Sequence, residues 1–253
     1  MSEDDAQQHG PNQASGAAAQ PDPRTLGHEN LYSSERAKAF IDAVVAIAMT
    51  LLILPLMESA SDLGNAPKQQ QHAAVWLDEN SGALWAFAIS FAIIAMFWIT
   101  HHRLFARVEF VTSQLIWLNI AWLFSIVWMP VATAITGALD STDQVAVLIY
   151  IGSMVLTNLL TLVLRFYLRA HPLLHTITRY HQLRGIASDL AMAILFVISL
   201  IVALTVPAIG YFALFLTMLT GPCQELLSRI LGVPKEKKDR TKQERAAKAD
   251  PGA

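Results

Sequence analysis

Two carboxylates stand inside stretches that are otherwise almost wholly apolar. Asp42 lies in AFIDAVVAIAMTLLILPL and Asp189 in IASDLAMAILFVISLIVALTV. A charge in hydrocarbon costs at least ~2.5 kcal/mol unless it meets a partner or water. Each therefore implies either a local ion pair or a proton-carrying role. Lys38 lies one turn before Asp42 and offers an i, i+4 partner, and Arg184 or Arg165 is the candidate partner for Asp189. Asp42 can alternatively clamp its helix to a neighbour through Arg or His. The histidines include His101-His102 and a scatter at His171, His175 and His181. His171 and His175 have the i, i+4 spacing of a helical metal pair, but Pro172 between them argues for a solvated, titrating loop. No phosphate-binding glycine loop, nucleophile elbow or Cys/His metal spacing is present, so neither an enzyme nor a cofactor or resident metal is expected. Cys223 is the one cysteine and forms no intrachain disulfide.

The elements that must position these groups follow from composition. Of 253 residues 54% are hydrophobic and only 15% charged, where a soluble domain carries about 25% charge. Six apolar stretches account for the deficit, each near the ~20 residues that a spanning helix needs. They run over about 36–56, 82–102, 110–136, 144–169, 186–206 and 208–231. Pro130 is a kink or exit in the third, and Gly221-Pro222 interrupts the sixth. The fold expected is an all-α integral membrane protein with six transmembrane helices, organised as one transmembrane domain over 34–231. Residues 1–33, rich in Gln, Ala, Gly, Pro and Asp, read as a disordered segment without signal-peptide character. Residues 232–253 read as a charged tail. Ser33 or Ser34 is expected to cap the first helix.

Charge placement orients the spans. With six passes, every Lys and Arg of the 18 except Lys68 falls on one side. By the positive-inside rule that side, with both termini, is cytoplasmic in the cell membrane. Glu58, Asp62, Asp78, Glu79, Asp140 and Asp143 gather on the other side. They form either a solvated acidic loop or a mouth that concentrates cations.

On the first stretch Ile47, Thr50, Leu51 and Leu54 have i, i+3, i+4, i+7 spacing and share one helical face. At 100° per residue Asp42 sits about 140° away from Ile47 and points elsewhere. By itself such a stripe serves lipid contact or packing.

The string Arg36-x-x-x-Phe40-x-Asp42-x-x-x-Ala46-Ile47-x-x-Thr50-Leu51-Leu52 resembles the signature of the transmembrane-protein-175 family, endolysosomal potassium channels and their bacterial relatives. The end of the second stretch, Trp98-Ile-Thr-His101-His102-Arg103-Leu104-Phe105, is similar to that family's second helix. Where the family has Ser between Phe and Asp, this chain has Ile41, which has no hydroxyl to offer. The resemblance implies a homotetramer with four first helices around a pore. Ile47 would then be the narrowest ring, Leu51 and Leu54 further rings, and Thr50 a hydroxyl layer. It also implies an inter-helix network of Arg36, Phe40, Asp42, Trp98 and His102. The implied function is a potassium-permeable cation channel with a hydrophobic constriction, K+ passing transiently and Na+ or H+ also candidates. A TVGYG-type filter is absent from the sequence, so modest K+ over Na+ selectivity is expected. A proton-coupled transporter or proton leak through Asp42 and Asp189 is the alternative.

Overall fold

The computed structural model describes residues 32–63, 72–139, 143–206 and 210–233. The expectations for residues 1–31 and for the tail beyond 233 lie outside the described residues. Long apolar runs give long helices. The first is α1 (Ser34–Leu51), continued after a break by α2 (Leu54–Asp62). A short α3 (Ala73–Glu79) leads into α4 (Ser81–Phe105), followed by α5 (Ser113–Ala138), α6 (Gln144–Ala170) and α7 (Arg179–Thr205). Among the described residues, five segments are long and apolar enough to cross a membrane: the α1–α2 pair, α4, α5, α6 and α7.

The sixth stretch differs from the expected single helix. It is a 3-10 segment, Gly210–Leu219, running into α8 (Thr220–Ile230). Gly221-Pro222 does not end the helix. Both residues sit in its first turn, where a missing proline N–H leaves no intrahelical bond unmade. The two parts return antiparallel along α7. Ser199 Oγ donates to the Ala213 carbonyl at 2.9 Å, and Thr220 Oγ1 reaches Met192 Sδ at 3.6 Å.

Pro55 explains the break between α1 and α2. It has no N–H to offer the Leu51 carbonyl, so the ladder lapses at Leu52 and Ile53, and resumes with Met57 N–H donating to the Ile53 carbonyl at 3.0 Å. Pro130 lies inside α5 rather than at its exit. α7 starts at Arg179, seven residues before the apolar run, and so takes Arg179 and Arg184 out of the loop where the sequence put them.

The core lies between α1, α4, α5, α6 and α7, with Ala213 and Leu214 of the 3-10 segment closing it. Ile41, Val45, Ala48, Leu52 and Leu56 form the buried face of the α1–α2 segment. In lipid, burial of apolar surface gives little drive, and close packing plus hydrogen bonds between helices do the holding. Ala48, fully buried, lets the α1 backbone approach its neighbours. Buried polar side chains then join the helices. Ser90 of α4 meets Tyr150 of α6 at 2.6 Å and accepts from Thr133 of α5 at 2.8 Å. Trp122 Nε1 donates to Thr161 Oγ1 at 2.9 Å, and Thr157 donates to Ser125 at 3.0 Å. Trp85 and Trp117 are exposed at opposite ends of the bundle, where amphipathic rings favour the headgroup zones.

At one end the loops are stitched together. β1 (Tyr32–Ser33) pairs antiparallel with β2 (Phe110–Val111), Tyr32 opposite Val111. Ser34 Oγ donates to the Val108 carbonyl at 2.7 Å rather than capping α1, and Ser33 makes no side-chain cap either. The Glu109 N–H donates to Leu174 and the Thr176 N–H to Arg107, tying the α4–α5 connection to that between α6 and α7.

Candidate functional site

α1 exposes the predicted stripe. Ile47 is 59% exposed, and Thr50, Leu51 and Leu54 accompany it on the outward side. Among the described residues nothing seals this face, while the opposite one is packed into the core. Thr50 Oγ1 donates to the Ile47 carbonyl at 2.7 Å, a local back-bond that keeps the helix intact at a polar residue in an apolar run.

Asp42 lies between the exposed and buried faces and is answered from α4. Trp98 Nε1 donates to its Oδ1 at 2.8 Å, and His102 Nδ1 lies 3.8 Å from the same oxygen. Trp98 and His102 are one turn apart on α4 with ring centroids 5.5 Å apart, so both face α1. The expected Lys38–Asp42 pair does not form, because Lys38 Nζ bonds Glu35 Oε1 at 2.9 Å instead.

Of the five motif residues the protomer brings Asp42, Trp98 and His102 together. Arg36 and Phe40 stand apart from them, lining an apolar groove of about 600 Å³ with Ile41, Asn119, Ile120 and Leu123. Phe40 is 60% exposed, and Arg36 makes no ion pair among the described residues. Ile41, in the place of the family serine, is buried against the core. Its side chain contributes packing there and no hydroxyl.

Asp189 belongs to a separate site. It is 2% exposed, and Arg165 of α6 meets it with Nε at 2.5 Å from Oδ2 and Nη2 at 3.3 Å from Oδ1. Arg165 is therefore the partner, and Arg184 instead donates to the Tyr180 hydroxyl at 2.7 Å. Asn158 Nδ2 donates to the Asp189 carbonyl at 2.8 Å. The ion pair depends on Gly185, since a Cβ there would collide with the Arg165 guanidinium.

Of the loop histidines, His175 is more deeply placed than a solvated loop implies, whereas His181 is exposed. His101 is buried, stacked on Trp122 at 4.1 Å and Phe105 at 4.4 Å, with its Nε2 donating to Asn119 Oδ1 at 2.9 Å. His175 is buried too, its Nδ1 accepting from the Ile177 N–H at 3.0 Å and its Nε2 donating to the Leu168 carbonyl at 2.9 Å. His171 stacks on Tyr167 at 4.3 Å. Among the described residues no three His, Cys, Asp or Glu gather as a metal site. Of the acidic residues at the other end, Asp143 caps α6 by accepting from the N–H groups of Val145 at 2.8 Å and Ala146 at 3.1 Å.

The fold and its outward stripe define a helical membrane protein with several apolar spans. Residues 36–130, from Arg36 on α1 to Pro130 in α5, match the family described as "Endosomal/lysosomal potassium channel TMEM175". A protein of Streptomyces collinus named a potassium channel is 33% identical over 124 residues, 46% of this chain and 55% of that protein. One of Chryseobacterium, likewise named a potassium channel, is 32% identical over 98 residues, 39% and 46% of the two chains. The zebrafish (Danio rerio) protein named endosomal/lysosomal proton channel TMEM175 is 24% identical over 148 residues, 58% of this chain and 27% of its own. This chain spans about half the length of the bacterial relatives it matches and about a quarter of the zebrafish one.

Proposed function

We propose that the chain forms a potassium-permeable cation channel of the cell membrane, four copies meeting so that their α1 helices surround a pore. The observation that carries this reading is the two-sided character of α1: one face sealed into its own protomer, the other bearing Ile47, Thr50, Leu51 and Leu54, all exposed among the described residues. In the tetramer Ile47 is the constriction, which gates by dewetting, and the Thr50 oxygens form the one hydroxyl layer of the four-residue stripe. Selectivity for K+ over Na+ is modest, since side chains rather than a carbonyl filter line the path. The 3-10 segment and α8 together make the sixth pass. At about 2.0 and 1.5 Å rise per residue their 10 and 11 residues suffice to cross ~30 Å. Both termini are then cytoplasmic, the end that also carries Arg103, Arg107, Arg169 and Arg179.

The name of the animal relatives favours a second reading, proton permeation through the same pore. Within the protomer the two carboxylates have separate partners, Asp42 on α4 and Asp189 on α6, which supports independent roles rather than one relay. The test is cation flux from potassium-loaded liposomes containing purified protein, with K+, Na+ and H+ exchanged in turn. Ile47→Ala is expected to raise flux several-fold. If stripe substitutions leave flux unchanged while Asp42→Asn abolishes it, conduction does not run along this face.

A further inference from the structure

A second cavity, of about 590 Å³, opens between the ends of α4, α7 and α8, away from the α1 face. Its lining includes Arg103, Arg107, Arg165 and Arg184, with His181, and the one carboxylate among the lining residues is Asp189. That carboxylate is already engaged by Arg165. Among the described residues no carboxylate pairs with Arg103, Arg107 or Arg184. Arg184 is held by the Tyr180 hydroxyl and lies over that ring, 5.9 Å from its centroid, so its position is set while its charge is not neutralised. The backbone carrying Arg107 is fixed as well, since its carbonyl accepts from Thr176 N–H at 3.0 Å. The site is therefore prearranged by hydrogen bonds that leave its positive charge intact.

We propose that this cavity binds a phosphate-bearing anion. Guanidinium forks match phosphate oxygens in pairs, and the volume lies in the ~300–1,000 Å³ range of ligand pockets. Gln224 on α8 and Thr100 on α4 add neutral donors from two further elements, so an occupant would bridge α4, α7 and α8. The phosphate can come from a lipid headgroup at the bilayer surface or from a soluble phosphate ester. This inference does not depend on ion conduction.

The test uses full-length protein in nanodiscs of neutral phosphatidylcholine, titrated with inorganic pyrophosphate and read by calorimetry. Saturable binding is expected, weakened about ten-fold in Arg103→Gln/Arg107→Gln. Lys38→Gln, at the same end but outside the cavity, is expected to bind like the native chain. Both arginines are exposed and make no ion pair among the described residues, so the double variant keeps the fold, checked by an unchanged thermal midpoint. Repeating the titration in discs containing phosphatidylglycerol separates the sources: competition assigns the site to lipid, and undiminished binding assigns it to a soluble ester. Absence of pyrophosphate binding, or equal loss in Lys38→Gln and the arginine variant, overturns the proposal.

Discussion

The Thr50 hydroxyl donates to the Ile47 carbonyl across 2.7 Å, so the one hydroxyl of the exposed α1 stripe spends its proton on its own backbone. Its oxygen lone pairs remain available, and an acceptor is what a partly dehydrated cation requires. In the proposed pore, Thr50→Val removes that acceptor at constant shape. Potassium current is expected to fall about ten-fold and the K+ over Na+ preference to approach one, whereas Thr50→Ser retains both. Bi-ionic reversal potentials in planar bilayers measure this.

Asp42 is held by Trp98, with His102 beside it, across the α1–α4 contact. Trp98→Phe keeps an aromatic ring but removes the donor. Asp42 is partly exposed, so water replaces some of the lost bond and the expected cost is about 1 kcal/mol. Thermal unfolding in detergent should show a small fall in midpoint, and one as large as that of a core truncation such as Trp122→Ala would contradict this account.

Arg165 and Asp189 behave differently because both are buried. Arg165→Met leaves a carboxylate without its counter-ion inside the bundle and is expected to cost about 3–5 kcal/mol. The double variant Arg165→Met/Asp189→Leu is expected to recover most of that loss, since two apolar groups need no partners. The proportion of monodisperse protein after heating distinguishes the two.

Gly185→Ala tests the same pair from its third side. A methyl group displaces the guanidinium from Asp189, with an expected cost of roughly 1–3 kcal/mol in the native chain. In the Arg165→Met/Asp189→Leu background the cost should shrink well below that, a coupling that a thermodynamic cycle reads directly.

The α1 stripe and the long helices were legible because apolar length and a 3.6-residue period are local properties of a chain. Partner choice was not. Lys38 had Glu35 three residues and Asp42 four residues away, both within helical reach, and the presence of Trp98 across the contact settles where the Asp42 carboxylate points. The hydroxyl and indole bonds from Ser90 to Thr161 gave no periodic signal, since single polar residues scattered through three apolar helices become neighbours only when those helices pack. The segment after Val206 was legible as apolar but not as 3-10 helix. The tight start of α8 at Thr220 places a glycine and a proline where the pattern alone marks a stop.

The lapse at Leu52 and Ile53 divides the α1 stripe mechanically. Ile47, Thr50 and Leu51 ride on a rod anchored by Trp98, whereas Leu54 belongs to the next rod, whose far end is latched by Ser59 to Asn80 at 2.7 Å. A tilt of the second rod about Leu52 and Ile53 would carry Leu54 sideways and leave Ile47 where it was, so in the proposed pore the two levels would move one at a time.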